Sequence, residues 1–94
     1  MNHNRLASIF KVLSDEHRLT ILRRLQCGEA CACTLIERLD ISQPTLSYHL
    51  KLLESTGLTS THKDGVWKKH VIDETVIDEL IAFLLTLKHH KDLP

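Results

Sequence analysis

Leu6, Ile9, Phe10 and Leu13 recur at the i, i+3, i+4, i+7 spacing of one helical face and predict a first helix. Ser14 before Asp15 and Glu16 reads as the N-cap of a second helix, with acidic side chains at its positive end. Leu19, Leu22 and Leu25, with Ile21 beside them, form the apolar stripe of that helix. Arg18, Arg23 and Arg24 form its solvated side, and Gly28 is placed to stop it. A short third helix is expected around residues 34–39, with Leu35, Ile36 and Leu39 inward, followed by a tight turn at Asp40-Ile41-Ser42. Ser42 caps a fourth helix, and Pro44 in its first turn sacrifices no intrahelical bond. Leu46, Leu50 and Leu53 line the buried side of the fourth helix. Gln43, Ser47, Tyr48 and Lys51 face outward, with Thr45 and His49 at the flank.

After Gly57 the period changes. Residues 58–63 and 66–72 are rich in Thr, Val and Ile and flank Asp64-Gly65, a pair suited to a two-residue hairpin turn with positive φ. A last helix over residues 74–89, capped by Asp73, carries Ile77, Leu80, Ile81 and Leu84 on one face and Val76, Phe83 and Leu87 on another. That is more apolar surface than a small core absorbs, and it predicts packing of the last helix, with the first, against a second copy. The expected fold is mainly α with a β-hairpin, a homodimeric winged helix-turn-helix. It forms one domain over residues 1–94, with the helix-turn-helix at about 34–55, the wing at about 58–72 and the terminal helices for dimerisation.

With 94 residues, 43% of them hydrophobic and 26% charged, the chain has room for one core and lies far from disordered composition. No apolar run resembles a secretory leader or reaches membrane-spanning length, so a cytosolic protein without membrane contact is expected. Twelve Lys/Arg balance 12 Asp/Glu, which argues against a strongly basic nucleic-acid binder. The distribution is uneven: residues 38–70 hold five basic against three acidic side chains, and residues 71–94 hold two against five. The basic part coincides with the fourth helix and the hairpin.

Gln43, Thr45, Ser47 and His49 offer short or planar donors and acceptors at the start of the fourth helix, the part that reaches base edges in a major groove. Tyr48 and Lys51 share its outer side, while Lys63, Lys68 and Lys69 near the wing tip suit phosphates. The run from Ser42 to Leu58, SQPTLSYHLKLLESTGL, resembles the helix-turn-helix signature of the ArsR/SmtB metalloregulatory repressors, and Leu13 to Leu22, LSDEHRLTIL, resembles their second-helix entry. The resemblance extends from about residue 6 to 72. It implies an apo dimer on double-stranded operator DNA that an inducer releases, and it assigns DNA contact to Gln43, Thr45, Ser47 and His49.

All three cysteines fall in Cys27-Gly-Glu-Ala-Cys31-Ala-Cys33. Clustered thiolates favour soft or borderline ions, a structural zinc site normally takes four ligands, and three sulfurs suit a trivalent metalloid such as As(III) or Sb(III). Residues two apart in a regular helix project about 200° from each other, so joint ligation by Cys31 and Cys33 is expected to require an unwound helix start. The segment further resembles the metalloid site of arsenical-resistance operon repressors. Some of these carry another cysteine at the place held here by Ile36, which leaves Cys27 as the candidate third sulfur. For Cys27 a second reading stays open, a buried small hydrophobe.

Asp73, Asp78, Glu79, His89 and His90 lack the Asp-x-His spacing of a second metal site found in other relatives, and are read as solvated, with His62 and His70 on the wing surface. The competing functions are a redox-sensing or metal-independent regulator and a winged-helix protein-interaction module. A thiol redox enzyme is disfavoured by the lack of a Cys-x-x-Cys pair, so no catalytic residues are expected.

Overall fold

The apolar stripes of the helices and the base of one hairpin close on a single core of Leu6, Ile9, Ile21, Leu25, Leu35, Leu46, Leu50, Leu53, Leu58, Val76 and Leu80, with Val12 and Leu39 at its edge. The computed structural model describes residues 1–88. Its elements run α1 (His3–Leu13), α2 (Glu16–Gln26), α3 (Ala32–Arg38), α4 (Gln43–Ser55), β1 (Thr59–Asp64), β2 (Trp67–Ile72) and α5 (Glu74–Lys88). This is the expected winged helix-turn-helix, with α3 and α4 as the paired helices and β1–β2 as the wing. His89 and His90 lie outside the described residues. Among the described residues no helix is long and apolar enough to cross a membrane.

Each boundary has a local cause. The Asp15 carboxylate accepts from Arg18 N–H at 3.1 Å and caps α2, whereas Ser14, expected in that role, closes α1. Cys27 is the C-cap of α2 and Gly28 follows with φ +95°, a conformation that L side chains rarely adopt. Ser42 caps α4 as expected, its hydroxyl accepting from Thr45 N–H at 3.3 Å. The Asp73 carboxylate accepts from Thr75 N–H at 2.9 Å at the start of α5.

The hairpin turn sits one residue later than expected. Asp64 pairs with Trp67, so Gly65 and Val66 form the two-residue loop and only Gly65, at φ +64°, needs positive φ. On α2, Leu19 is exposed and Ile21 is fully buried, reversing their expected ranks. On α1, Val12 goes inward while Phe10 stays at the surface against Phe83, with ring centroids 6.2 Å apart.

The Cα radius of gyration is 15.5 Å, against about 12 Å for a compact chain of this length. Among the described residues, part of the apolar surface of α5 is left uncovered: Ile81, Leu84, Leu85 and Leu87 are all exposed, Leu87 at 61%. The packing of α3 depends on Leu35, which is fully buried. Truncation by Leu35→Ala is expected to lower unfolding free energy by about 2–5 kcal/mol in urea titrations; a loss below about 1 kcal/mol would mean that α3 is loosely docked.

Candidate nucleic-acid interface and thiol site

The outer side of α4 presents Gln43, Thr45, Ser47, Tyr48 and Lys51, all exposed. Its inner side is the stripe Leu46, His49, Leu50 and Leu53. His49 therefore departs from the expected DNA-contacting set: it is 5% exposed, and its Nδ1 lies 3.0 Å from the Arg18 guanidinium. Arginine only donates, so Nδ1 accepts and the ring proton sits on Nε2. Arg18, expected on the solvated side of α2, also donates through Nε to the Val12 carbonyl. One guanidinium thus ties the end of α1 to the middle of α4.

On the wing, Lys63, Lys68 and Lys69 are exposed. Lys69 Nζ holds Asp64 at 2.8 Å across the hairpin, and that contact keeps the Asp64 carboxyl below its ordinary range. A solvent-exposed pair of this kind is weak and salt-sensitive, so Lys69 can exchange Asp64 for a phosphate. His70, expected on the wing surface, is half-buried, and its backbone N–H donates to the Ala30 carbonyl at 2.9 Å. That bond fastens the base of the wing to the cysteine loop. A second link runs from α4 to β1, where the Thr61 hydroxyl donates to Glu54 Oε1 at 2.6 Å and lies 3.4 Å from His70 Nδ1.

The thiol site sits at the start of α3. Cys31 lies outside the helix as its N-cap, in extended conformation at φ −97° and ψ 136°, and its carbonyl accepts from Thr34 and Leu35 N–H, both at 3.1 Å. Cys33 is inside the first turn, and its N–H donates to Cys31 Sγ at 3.3 Å. The two sulfurs converge and are joined as a disulfide, with the Cα atoms 5.3 Å apart. The expectation that α3 must unwind for both sulfurs to meet is thus corrected: the helix begins at Ala32, so the opposed projection of a helical i, i+2 pair does not apply.

Cys27 is exposed at the end of α2, which removes the buried-hydrophobe reading. It is not assembled with the pair. Among the described residues no group of three or more His, Cys, Asp and Glu side chains is arranged to hold an ion. Between the cysteines, Glu29 carries an ion pair to Arg38 at 3.3 Å and a looser one to Arg24 at 3.8 Å, bridging α2 and α3. An open cleft of about 370 Å³ beside Cys31 is lined by Glu29, Thr34, Trp67, Lys68 and Lys69, so the thiol loop and the wing share a surface.

Residues 15–61 match the family described as bacterial regulatory protein, arsR family. The chain belongs to the ArsR family. It is 44% identical over 84 residues to the arsenical resistance operon repressor of Staphylococcus aureus, covering 89% of this chain and 81% of that protein. It is 51% identical over 71 residues to the repressor of the same name from Staphylococcus xylosus, covering 76% and 66%. Among solved structures, an ArsR-like transcriptional regulator from Rhodococcus sp. RHA1 superposes with a TM-score of 0.80 at 31% identity, over 92% of this chain and 81% of that one. This ArsR-family chain is a transcriptional repressor built on a DNA-binding winged helix-turn-helix.

The Arg18–His49 contact, Glu29, Trp67 and the His70 amide were absent from the sequence-based site. For His49 a signal existed: positions 46, 49, 50 and 53 complete the i, i+3, i+4, i+7 stripe, which marks it as inward. Burial pushes the His49 pKa below its ordinary value, Arg18 and His17 add to this, and Asp15 opposes it. Since the unfolded chain then takes up that proton more readily, stability is full above about pH 6.5 and falls as pH drops through the unfolded value. Burial depresses His70 in the same direction. Urea midpoints of wild type and His49→Gln across this range are expected to show a flatter pH dependence for the variant; identical slopes would remove the assignment.

Proposed function

We propose that this chain represses an operon as an apo homodimer on double-stranded operator DNA in the cytosol, and leaves the DNA when As(III) or Sb(III) binds the thiolates of Cys31 and Cys33. The observation that carries the reading is the convergence of those two sulfurs at the start of α3, the first helix of the DNA-reading pair. Relatives at 44% and 51% identity that are named arsenical resistance operon repressors support the choice of ligand. The donor set fits: two soft thiolates are already adjacent once reduced, and a third, Cys27, stands a short way upstream in the same loop.

Bound there, a trivalent metalloid supplies a cross-link among sulfurs. Recruiting Cys27 as the third ligand requires residues 28–31 to fold back. That movement pulls on the Ala30 carbonyl that accepts from His70 and on the Glu29 pairs to Arg24 and Arg38. The ligated loop and the wing-fastening loop are then different conformations, which is the differential affinity that release requires.

On the DNA side, Gln43, Thr45, Ser47 and Tyr48 read base edges, and Lys51, Lys63, Lys68 and Lys69 meet phosphates. His49 positions α4 from within and touches no base. The exposed apolar residues of α5, with α1 beside them, bury against the second subunit and double the basic surface.

Two experiments check this. Retention on the protein's own promoter DNA is measured with and without arsenite: wild type dissociates, Cys31→Ser and Cys33→Ser stay bound, and Cys27→Ser is partly impaired in release. Release of Cys31→Ser as readily as wild type overturns the ligand assignment. Separately, Lys63→Ala and Lys68→Ala each reduce the slope of log affinity against log salt by about 1 for every phosphate the lysine had neutralised; unchanged slopes take the wing off the phosphates.

A further inference from the structure

The pair proposed above as a metalloid site is joined by a disulfide, and the elements around it are regular and fully formed. With Cys31 and Cys33 bridged, α3 runs regularly over Ala32–Arg38, Leu35 is fully buried and the His70 amide holds the Ala30 carbonyl at 2.9 Å. Gln43, Thr45, Ser47 and Tyr48 remain exposed on α4. The reason is local: Cys31 precedes the helix in extended backbone, so its sulfur reaches Cys33 without loss of an α3 hydrogen bond, and it still accepts from Cys33 N–H. Cys33 is exposed, so a small oxidant reaches the pair.

We propose that Cys31 and Cys33 form a dithiol–disulfide couple that gates the metalloid response: peroxide closes the bridge, the bridged repressor keeps its operator, and it no longer responds to metalloid until reduced. This rests on the reading of the pair as the inducer site. In the oxidising step the sulfur of one cysteine, as thiolate, attacks a peroxide oxygen, the O–O bond breaks, and a sulfenic acid and the first water result. The second sulfur displaces the hydroxyl of that sulfenic acid, the S–S bond forms and a second water leaves. Two thiols and one hydrogen peroxide thus give one disulfide and two waters. Thiols or a phosphine reverse the oxidation by reducing the bridge.

The consequence follows from valence. Sulfurs bonded to each other have no thiolate lone pair and charge to give to a soft ion, so bridging and ligation exclude each other. Cys27 alone then offers one ligand where at least two are needed. Because α3, α4 and the wing fastening are all formed with the bridge closed, oxidation removes the inducer site without removing DNA binding. The outcome is the reverse of a repressor released by oxidation.

The test uses the full chain, reduced with a phosphine that is then removed, and the same chain after hydrogen peroxide. Differential alkylation with peptide mapping is expected to show Cys31 and Cys33 protected after peroxide and Cys27 still alkylated. Anisotropy with the protein's own promoter fragment is expected to give the same affinity for both forms. The arsenite concentration for half-release is expected to rise about tenfold or more on oxidation and to return on re-reduction. Loss of operator binding on peroxide alone, equal arsenite sensitivity of both forms, or a bridge mapped to Cys27 overturns the gating while leaving the inducer site standing. A reduced protein that ignores arsenite overturns the inducer site itself, and the gating with it.

Discussion

A single backbone hydrogen bond, from the His70 amide on β2 to the Ala30 carbonyl in the cysteine loop, connects the two halves of this molecule that matter to a repressor. On one side is a loop whose two ends carry thiols. On the other is a hairpin whose lysines face solvent and whose base meets the recognition helix through Thr61 and Glu54. The bond alone is worth only about 1 kcal/mol. Its importance is geometric: it holds the Ala30 carbonyl, between Cys27 and Cys31, against the wing, and under the proposed function recruitment of Cys27 works against that contact. The Glu29 contacts to Arg24 and Arg38 hold the same loop to α2 and α3.

The remainder of the fold supports that contact. The Arg18–His49 pair sets α4 against α1 and α2 from within, so the outer face of α4 is delivered as a rigid unit. Rigidity there is useful, since a loosely held recognition helix would dilute any movement of the wing or of α3. The exposed apolar residues of α5 bear on the same point through symmetry. In the proposed dimer, a neutral chain with a basic hairpin would gain a phosphate footprint from two hairpins acting together, with the exposed Leu84 and Leu87 as the surface to be buried.

Most of the fold was readable in the residues. The helix stripes, the Ser42 and Asp73 caps, the glycine stops and the change to a two-residue period placed every element to within a few positions. Errors arose where a local rule had two valid solutions. Ser14 and Asp15 both make N-caps, and the chain uses Asp15. Asp64-Gly65 and Gly65-Val66 both make two-residue turns, and strand register selects the second. The site was less readable, because charge and polarity were taken to mean solvent: His49 completes an apolar stripe and is paired by an arginine from another helix, a long-range contact that spacing within one helix does not reveal. The third helix was expected from about residue 34, ahead of which both thiols lie, yet their projection was reasoned from a regular helix; α3 instead starts at Ala32, with Cys31 as its N-cap and Cys33 in its first turn, and there the two sulfurs meet.

The most direct measurement is amide hydrogen exchange at His70 in the reduced protein, with and without arsenite. Slow exchange in the apo protein and loss of protection on arsenite addition are the results expected if the cysteine loop lets go of the wing. Undiminished protection of that amide in a dimer that arsenite has removed from its operator would contradict the account.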